Sequence, residues 1–460
     1  MTLTCATARR LRHLSLLQRY GGRAPRYTSY PTAAQFTPAV DADLYATWLS
    51  ALPVRKPVSV YVHIPFCARL CWYCGCSARA VHRPATVSDY VRLVTQEVGL
   101  AEARLPARLA VSAIHLGGGT PNMTSPEDLE TLFAALRRAF AVAPGAEIAA
   151  EIDPTQLGEA WVRAAAGCGL TRASLGVQDL SPEVQAAVNR IEPFETVARA
   201  AALLRDAGVA SLNLDLMYGL PKQRAHHLLA TLERVLTLEP DRLALFGYAH
   251  VPWMRPHQKL IDEAALAGPA ERLEQSEAAA ERLTGAGYVR IGLDHYARPD
   301  DSLARALAAG RLRRNFQGYT DDQAQTLLGF GASAIGRLPQ GYVQNFADEL
   351  TWRKRIAAGE LATARGLALT DEDRFRAEII ERLMCALSVD LEGVRRRHGR
   401  DASELAGARA ALAGFEADGL VALDGPTVAV TELGRPFLRS VCALFDAGAG
   451  ASGLRPSQVV

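Results

Sequence analysis

From about residue 58 to 300, short apolar runs with strand-like character alternate with longer stretches whose apolar positions recur near every 3.6 residues. The short runs are VSVYVHI (58–64), VSAIHLG (111–117), AEIAAEI (146–152), RASLGVQ (172–178), ASLNLDLMY (210–218) and RLALFGYAH (242–250). Between them lie helix-period segments such as SDYVRLVTQEVGLAEARL (88–105) and SPEDLETLFAALRRAF (125–140). The second opens on Ser125, Pro126 and Glu127. These offer a capping oxygen, a first-turn residue whose missing N–H costs nothing there, and a negative charge at the positive end of the helix. Strand–helix alternation predicts an α/β fold with a mainly parallel sheet, because parallel neighbours need a crossover. Six such units predict a partial (β/α)6-type barrel, with its chemistry on loops at the C-terminal strand ends.

A further apolar run, YVRIGLDHYA (288–297), follows the last long helix, and RRNFQGYT (313–320) reads as a functional loop. From about residue 371 the pattern changes. DEDRFRAEIIERLMCAL (371–387) and ELAGARAALAGFEADGL (404–420) read as helices, and LVALDGPTVAVT (420–431) reads as a hairpin turning at Asp424-Gly425. A last helix is expected from near Glu432. This predicts a mainly helical, winged-helix-like C-terminal domain. The first twenty residues are arginine-rich and lack acids, faintly like a transit peptide, but an amphipathic helix is the preferred reading. The expected division is an N-terminal extension over 1–55, a barrel domain over 56–365 and a C-terminal domain over 366–460. The tail ASGLRPSQVV is expected to be mobile.

At 460 residues the chain is too long for one ordinary core and suits one large domain plus a smaller one. Its formal net charge of +2 announces neither a nucleic-acid nor a membrane partner. No apolar stretch approaches the ~20 residues of a membrane span, and a cytoplasmic monomer is expected. Eight cysteines in a chain of this length are no disulfide framework. Cys5, Cys168, Cys385 and Cys442 are scattered, whereas Cys67, Cys71, Cys74 and Cys76 fall within ten residues.

The spacing Cys67-x3-Cys71-x2-Cys74 lets three soft thiolates hold three corners of a 4Fe–4S cubane and leaves the fourth iron open. Zinc stays an alternative if Cys76, His63 or His82 completes a set of four, and so do free thiols. An open iron is a site that S-adenosylmethionine can chelate through its amino and carboxylate groups. Electron transfer then breaks its C–S bond and releases a 5′-deoxyadenosyl radical. Tyr73, between two ligands, is a candidate for packing near the adenine, although it could simply pack the loop. His115-Leu116-Gly117-Gly118-Gly119-Thr120-Pro121 follows the second strand, where glycines let backbone approach a ligand. By itself such a run is a tight turn. Beside the cysteine loop it fits a site for the methionine amino group. Glu151, Gln178 and Asp215 lie at or near the ends of successive strands, which suggests one shared pocket at the barrel face. Arg190 could pair a carboxylate bidentately.

At this point YVHIPFCARLCWYCGCS (61–77), HLGGGTPN (115–122), GVQD (176–179), NLDLMYGLPKQ (213–223), DHYARPDD (294–301), RRNFQGYT and RYTSYPTA (26–33) together resemble the oxygen-independent coproporphyrinogen III oxidases. These are radical S-adenosylmethionine enzymes of porphyrin and haem biosynthesis, and the likeness runs from about residue 20 to 445. It implies cluster ligands Cys67, Cys71 and Cys74, with Cys76 a non-ligand needed for activity and Tyr61 beside it as a catalytic residue. It implies two S-adenosylmethionine molecules, the first contacting Tyr61, Gly118, Glu151 and Ile335. The second would contact Tyr73, Gly119, Thr120, Gln178, Arg190, Asp215 and Ala249. The implied reaction converts the propionates of rings A and B of coproporphyrinogen III into vinyl groups, with an electron donor and an electron acceptor that the sequence does not name. A substrate with four carboxylates calls for cations, and Arg26, Arg290, Arg298, Arg313 and Arg314 are candidates. VPWMRPHQKL (251–260) receives no role. A related haem-binding chaperone shares the cysteine spacing. It lacks the counterparts of Cys76 and of RYTSYPTA, so the oxidase is the reading preferred.

Overall fold

The computed structural model describes residues 5–448 and 457–459. Strands β1 (Val58–Ile64), β2 (Ala110–Gly118), β3 (Ala141–Ile152), β4 (Arg172–Gln178), β5 (Ser211–Tyr218) and β6 (Arg242–Gly247) lie side by side in chain order and pair in parallel throughout. They are the six strands expected. Helices Pro84–Glu102 and Pro126–Ala139 make the first two crossovers, and Ser125 Oγ accepts the Asp128 N–H at 3.0 Å as the cap anticipated.

Side-chain alternation explains the two faces of the sheet. In β1, Val58, Val60, Val62 and Ile64 pack with Tyr90, Val94 and Val98 of the first crossover helix in the main core. The intervening Ser59, Tyr61 and His63 are left for the barrel interior. The same parity brings His115, Glu147, Ser174, Asn213 and Asp215 to a polar inner cavity of about 150 Å³.

The sheet is mainly parallel, as expected, but antiparallel strands extend it at both edges, and among the described residues it is larger than expected, with twelve strands. Thr326–Phe330 adds to β1 in parallel and is followed by antiparallel Ile335–Leu338, Gly341–Asn345 and Thr363–Ala368. At the other edge β6 pairs antiparallel with His295–Ala297, which pairs with Val289–Ile291. The five residues of Thr326–Phe330 are all buried, so no alternation betrays them. RRNFQGYT is not an irregular loop. It is a hairpin of Arg313–Asn315 and Gly318–Thr320, with Gly318 at φ +133°.

The C-terminal region has the helix Asp371–Ala386, with Thr370 and Asp373 capping each other's backbone N–H, and the helix Ala406–Ala417. A three-stranded sheet follows the order Ser388–Asp390, Thr427–Val430, Val421–Asp424, and the turn at Asp424-Gly425 is where it was expected. The last helix starts later than Glu432. A 3-10 turn over Arg435–Phe437 precedes Leu438–Ala443.

The N-terminal helix Cys5–Tyr20 forms, but it packs on the C-terminal region. Leu16, Tyr20, Tyr27 and Tyr30 share a core with Phe375, Phe415 and Phe437. The Tyr20 hydroxyl donates to Asp418 Oδ2 at 2.6 Å. Residues 451–456 and 460 of the tail lie outside the described residues. Its described part, 457–459, is tied down, which corrects the expectation of mobility there. The Val459 N–H bonds the Gly22 carbonyl at 2.9 Å, and buried Arg439 donates to the carbonyls of Pro25 and Gln458. No helix among the described residues is long and apolar enough to cross a membrane.

Candidate active site

The cysteine loop leaves β1 and is pinned at both ends. Phe66–Cys67 and Arg79–Ala80 form a short parallel bridge, with Arg79 N–H to Pro65 O and Val81 N–H to Cys67 O, each 2.9 Å. The end of β2 holds the loop from beside it, since the Gly119 N–H bonds Ile64 O at 2.8 Å and the Thr120 N–H bonds Phe66 O at 2.7 Å. Trp72 N–H reaches Val188 O at 3.0 Å. Cys67, Cys71, Cys74 and Cys76 are all free thiols. Cys71 is buried, and Cys67 and Cys74 are partly so. Burial pushes the Cys67 thiol up to about 11, while the Cys76 side-chain hydrogen bond brings Cys74 down to about 7.

A second clamp comes from VPWMRPHQKL, the segment that sequence reasoning left without a role. Gln258, fully buried, donates to Tyr73 O at 3.0 Å and to Ala249 O at 3.2 Å and accepts from the Val251 N–H at 2.6 Å. His257 Nε2 lies 2.7 Å from Cys74 O. Polar His-Gln in a proline-bounded, variable stretch carried no motif that would have marked it.

The donor set fits an iron–sulfur cubane. Three soft thiols sit on one loop with no disulfide between them. Among the described residues no three His, Cys, Asp or Glu side chains converge as donors for one metal ion, whereas a cubane is held at three separate iron corners. Arg190 stands beside the loop, with Nη1 3.6 Å from Cys71 Sγ, Nη2 2.5 Å from Gly176 O and 2.9 Å from Glu192 Oε2, and its buried Nε unpartnered.

Around the glycine run the backbone is crowded. Gly118 has φ +113°, and a Cβ there would lie 2.6 Å from the His63 ring. Glu151 accepts the Gly118 N–H at 2.9 Å and lies 3.4 Å from His115 Nε2. Burial alone would raise Glu151, but His115 and the Gly118 N–H outweigh it and hold the carboxyl below its ordinary value. Tyr61 Oη sits 2.9 Å from His63 Nδ1, and its ring stacks on His115. Tyr61, Gly118 and Glu151 thus form one cluster, and Tyr73 and Arg190 another at Cys71. Gln178, at φ +66°, closes β4 at a register shift. Asp215 accepts from Ser174 Oγ at 2.8 Å and Asn213 Nδ2 at 2.7 Å, and burial raises its carboxyl. It shares the inner cavity with Glu151. Ile335 stands apart. It lies on an added antiparallel strand, its carbonyl packed against Gly329, which pairs with Tyr61.

Cys76 is exposed, but to a concave interior. It lines a cavity of about 660 Å³ with Ala249 and with Arg26, Arg290 and Arg314. Arg23, Arg272 and Arg439, which sequence reasoning missed, line it too, and among the described residues Glu263 and Asp294 are its only acids. Two other candidates point elsewhere. Arg313 pairs with Glu381 at 3.1 Å, and Arg298 lies near Asp300 at 3.5 Å, away from this cavity.

Comparison with known proteins bears on this arrangement. The Radical SAM superfamily matches residues 61–235, and the HemN C-terminal domain matches residues 369–437. Oxygen-independent coproporphyrinogen III oxidase of Bradyrhizobium diazoefficiens is 50% identical over 425 residues, covering 92% of this chain and 94% of that protein. The Paracoccus denitrificans protein of the same name is 44% identical, covering 94% and 96%. The solved coproporphyrinogen III oxidase HemN of Escherichia coli, described as a radical SAM enzyme, superposes with a TM-score of 0.88 at 36% identity. It covers 94% of this chain and 98% of its own. With its cysteine loop, glycine run and nearly full-length likeness, this chain belongs to the oxygen-independent coproporphyrinogen III oxidases, radical SAM enzymes that use a 4Fe–4S cluster and S-adenosylmethionine.

Proposed function

We propose that this chain oxidatively decarboxylates the ring A and ring B propionates of coproporphyrinogen III to vinyl groups, giving protoporphyrinogen IX. The haem-binding chaperone reading is not favoured by relatives that carry the oxidase name over nearly their whole length. The observation that carries the proposal is the cavity in which Cys76, two residues beyond the cysteine motif, meets six arginines. Such a wall suits a ligand with four carboxylates.

In this reading Cys67, Cys71 and Cys74 would hold the cluster through their thiolates. Reduced cluster and S-adenosylmethionine together supply a 5′-deoxyadenosyl radical able to take hydrogen from an unactivated C–H. The protein's own residues bind, orient and exclude water. Tyr61, Gly118, Glu151 and Ile335 serve the first S-adenosylmethionine. Tyr73, Gly119, Thr120, Gln178, Arg190, Asp215 and Ala249 serve a second. Each propionate gives up a β-hydrogen, CO2 and one electron, so two side chains consume two radicals and pass two electrons to an acceptor. Cys76 acts at the substrate and not as a ligand, with Tyr61 as its catalytic companion. The barrel, 56–365, would carry the chemistry, and 1–55 and 366–460 would close the substrate side. We place the protein in the cytoplasm as a monomer with a separate electron donor.

The test is anaerobic incubation of the clustered protein with coproporphyrinogen III, a reductant and S-adenosylmethionine. Divinyl product with 5′-deoxyadenosine is expected. Absence of vinyl product from a fully clustered preparation would overturn the proposal.

A further inference from the structure

Asp294 is an anomaly in the arginine-lined cavity. A carboxylate facing a ligand with four carboxylates costs binding through like-charge repulsion. Yet the side chain is only 14% exposed, and it is held rigidly. It sits between the paired strands Val289–Ile291 and His295–Ala297, and its carbonyl accepts the Leu245 N–H of β6 at 2.7 Å. His295 Nδ1 lies 2.7 Å from Asp294 Oδ1, and the imidazole is itself wedged between the rings of Phe246 and Tyr319. Arg314 Nη1 stands 3.9 Å from Oδ1. Burial would raise the carboxyl, but His295, Arg314 and Arg26 outweigh it and bring it down to about 2, so the group is an anion throughout the working pH range. Among the described residues no hydrogen bond is donated to Oδ2.

An ionised carboxylate only accepts hydrogen bonds. A porphyrinogen carries its carboxylates at the rim and four pyrrole N–H donors at its centre. Its saturated bridges let the rings tilt, so several N–H groups can converge on one side. We propose that Asp294 positions the substrate by accepting the pyrrole N–H groups of the porphyrinogen through its free oxygen, while the surrounding arginines take the rim propionates. This inference rests on the assigned substrate and deepens it. The carboxylate reads the reduced state of the macrocycle, because the oxidised porphyrin has the same rim, only two inner N–H groups, and two inner acceptor nitrogens that a carboxylate repels. His295 is then a positioning residue that fixes the rotamer of Asp294. It also lines the inner cavity that holds Glu151 and Asp215.

The experiment is anaerobic equilibrium binding of coproporphyrinogen III and of coproporphyrin III to the clustered wild type, to Asp294→Asn and to Asp294→Glu. Losing charge-assisted hydrogen bonds should weaken the porphyrinogen about tenfold or more in Asp294→Asn. Coproporphyrin binding should stay unchanged or tighten, since one repulsive charge has gone. Asp294→Glu, which keeps the charge, should retain part of the preference for the reduced ligand. If both ligands change by the same factor in Asp294→Asn, in either direction, the carboxylate acts only through the arginine wall and the proposal falls. Equal loss of preference in both variants overturns it as well. A wild type that binds no coproporphyrinogen III overturns the substrate assignment itself, and that result is distinct from a wild type that binds it with no dependence on Asp294.

Discussion

A Cβ on Gly119 would lie 2.6 Å from the carbonyl oxygen of Phe66, the residue just before Cys67. The contact is with backbone that already accepts the Thr120 N–H at 2.7 Å, so no flexible side chain can yield. Gly119→Ala is therefore expected to push the cysteine loop away from β2. Overpacking of this kind costs about 1–3 kcal/mol. The loop should lose cluster before the barrel loses its fold. Iron per chain after anaerobic reconstitution, read beside far-UV circular dichroism, checks this. Full iron content in the variant would contradict it.

Gln258 holds the other side of the same loop. Gln258→Leu fills similar space but leaves the carbonyls of Tyr73 and Ala249 and the Val251 N–H short of partners. Each abandoned buried group costs about 1–3 kcal/mol. The cluster in this variant should be lost to a chelator several-fold faster, as followed by bleaching of its visible absorbance. Unchanged bleaching would mean that His257 at Cys74 O is the clamp that matters.

These two contacts also show what could be read from the sequence. Cys67-x3-Cys71-x2-Cys74, the glycine run and the Ser125 cap are local, so their chemistry sits within a few residues. The six strands β1–β6 announced themselves through apolar runs between helix-period segments. Thr326–Phe330 did not, because burial on both faces erases alternation. Gln258 meets Tyr73 across 185 positions, and Arg439 meets Pro25 across 414, with no pattern linking either pair. Arg272 likewise reached the cavity from a helix with no motif. Hence the cluster loop was legible, while half of the arginine wall and one of the two clamps were not.

Cys71 and Cys76 should separate by chemistry. Cys71→Ser removes a buried thiol proposed to hold the cluster and is expected to abolish both the cluster and S-adenosylmethionine cleavage. Cys76→Ser leaves its backbone N–H, 3.4 Å from Cys74 Sγ, in place, so the loop contact survives. Iron content and the electron paramagnetic resonance signal should then be kept while vinyl product disappears. Loss of iron in Cys76→Ser would make it a fourth ligand and close the open iron.

Glu97 gives a stability prediction away from the cluster. It reaches from the first crossover helix to the Gly331 N–H at 2.7 Å and to Asn345 Nδ2 at 2.6 Å, and it is 3% exposed. Burial outweighs these donors and the neighbouring Trp352 side chain and pushes its carboxyl up to about 7. A carboxyl raised in the folded state binds its proton more tightly folded than unfolded. Its contribution is therefore fully present below the unfolded value and is lost as pH rises through about 7. Glu97→Gln keeps an acceptor for Gly331 but sets an amide N–H2 against Asn345, so it should be less stable than wild type at pH 5. Between pH 5 and pH 8.5 the wild type should lose on the order of 2–3 kcal/mol that the variant does not, and the gap between their melting temperatures should narrow or reverse. Thermal unfolding of both clustered proteins across that range checks the sign. A gap that stays constant from pH 5 to pH 8.5 would mean that the N–H donors outweigh burial and keep Glu97 ionised in the folded protein.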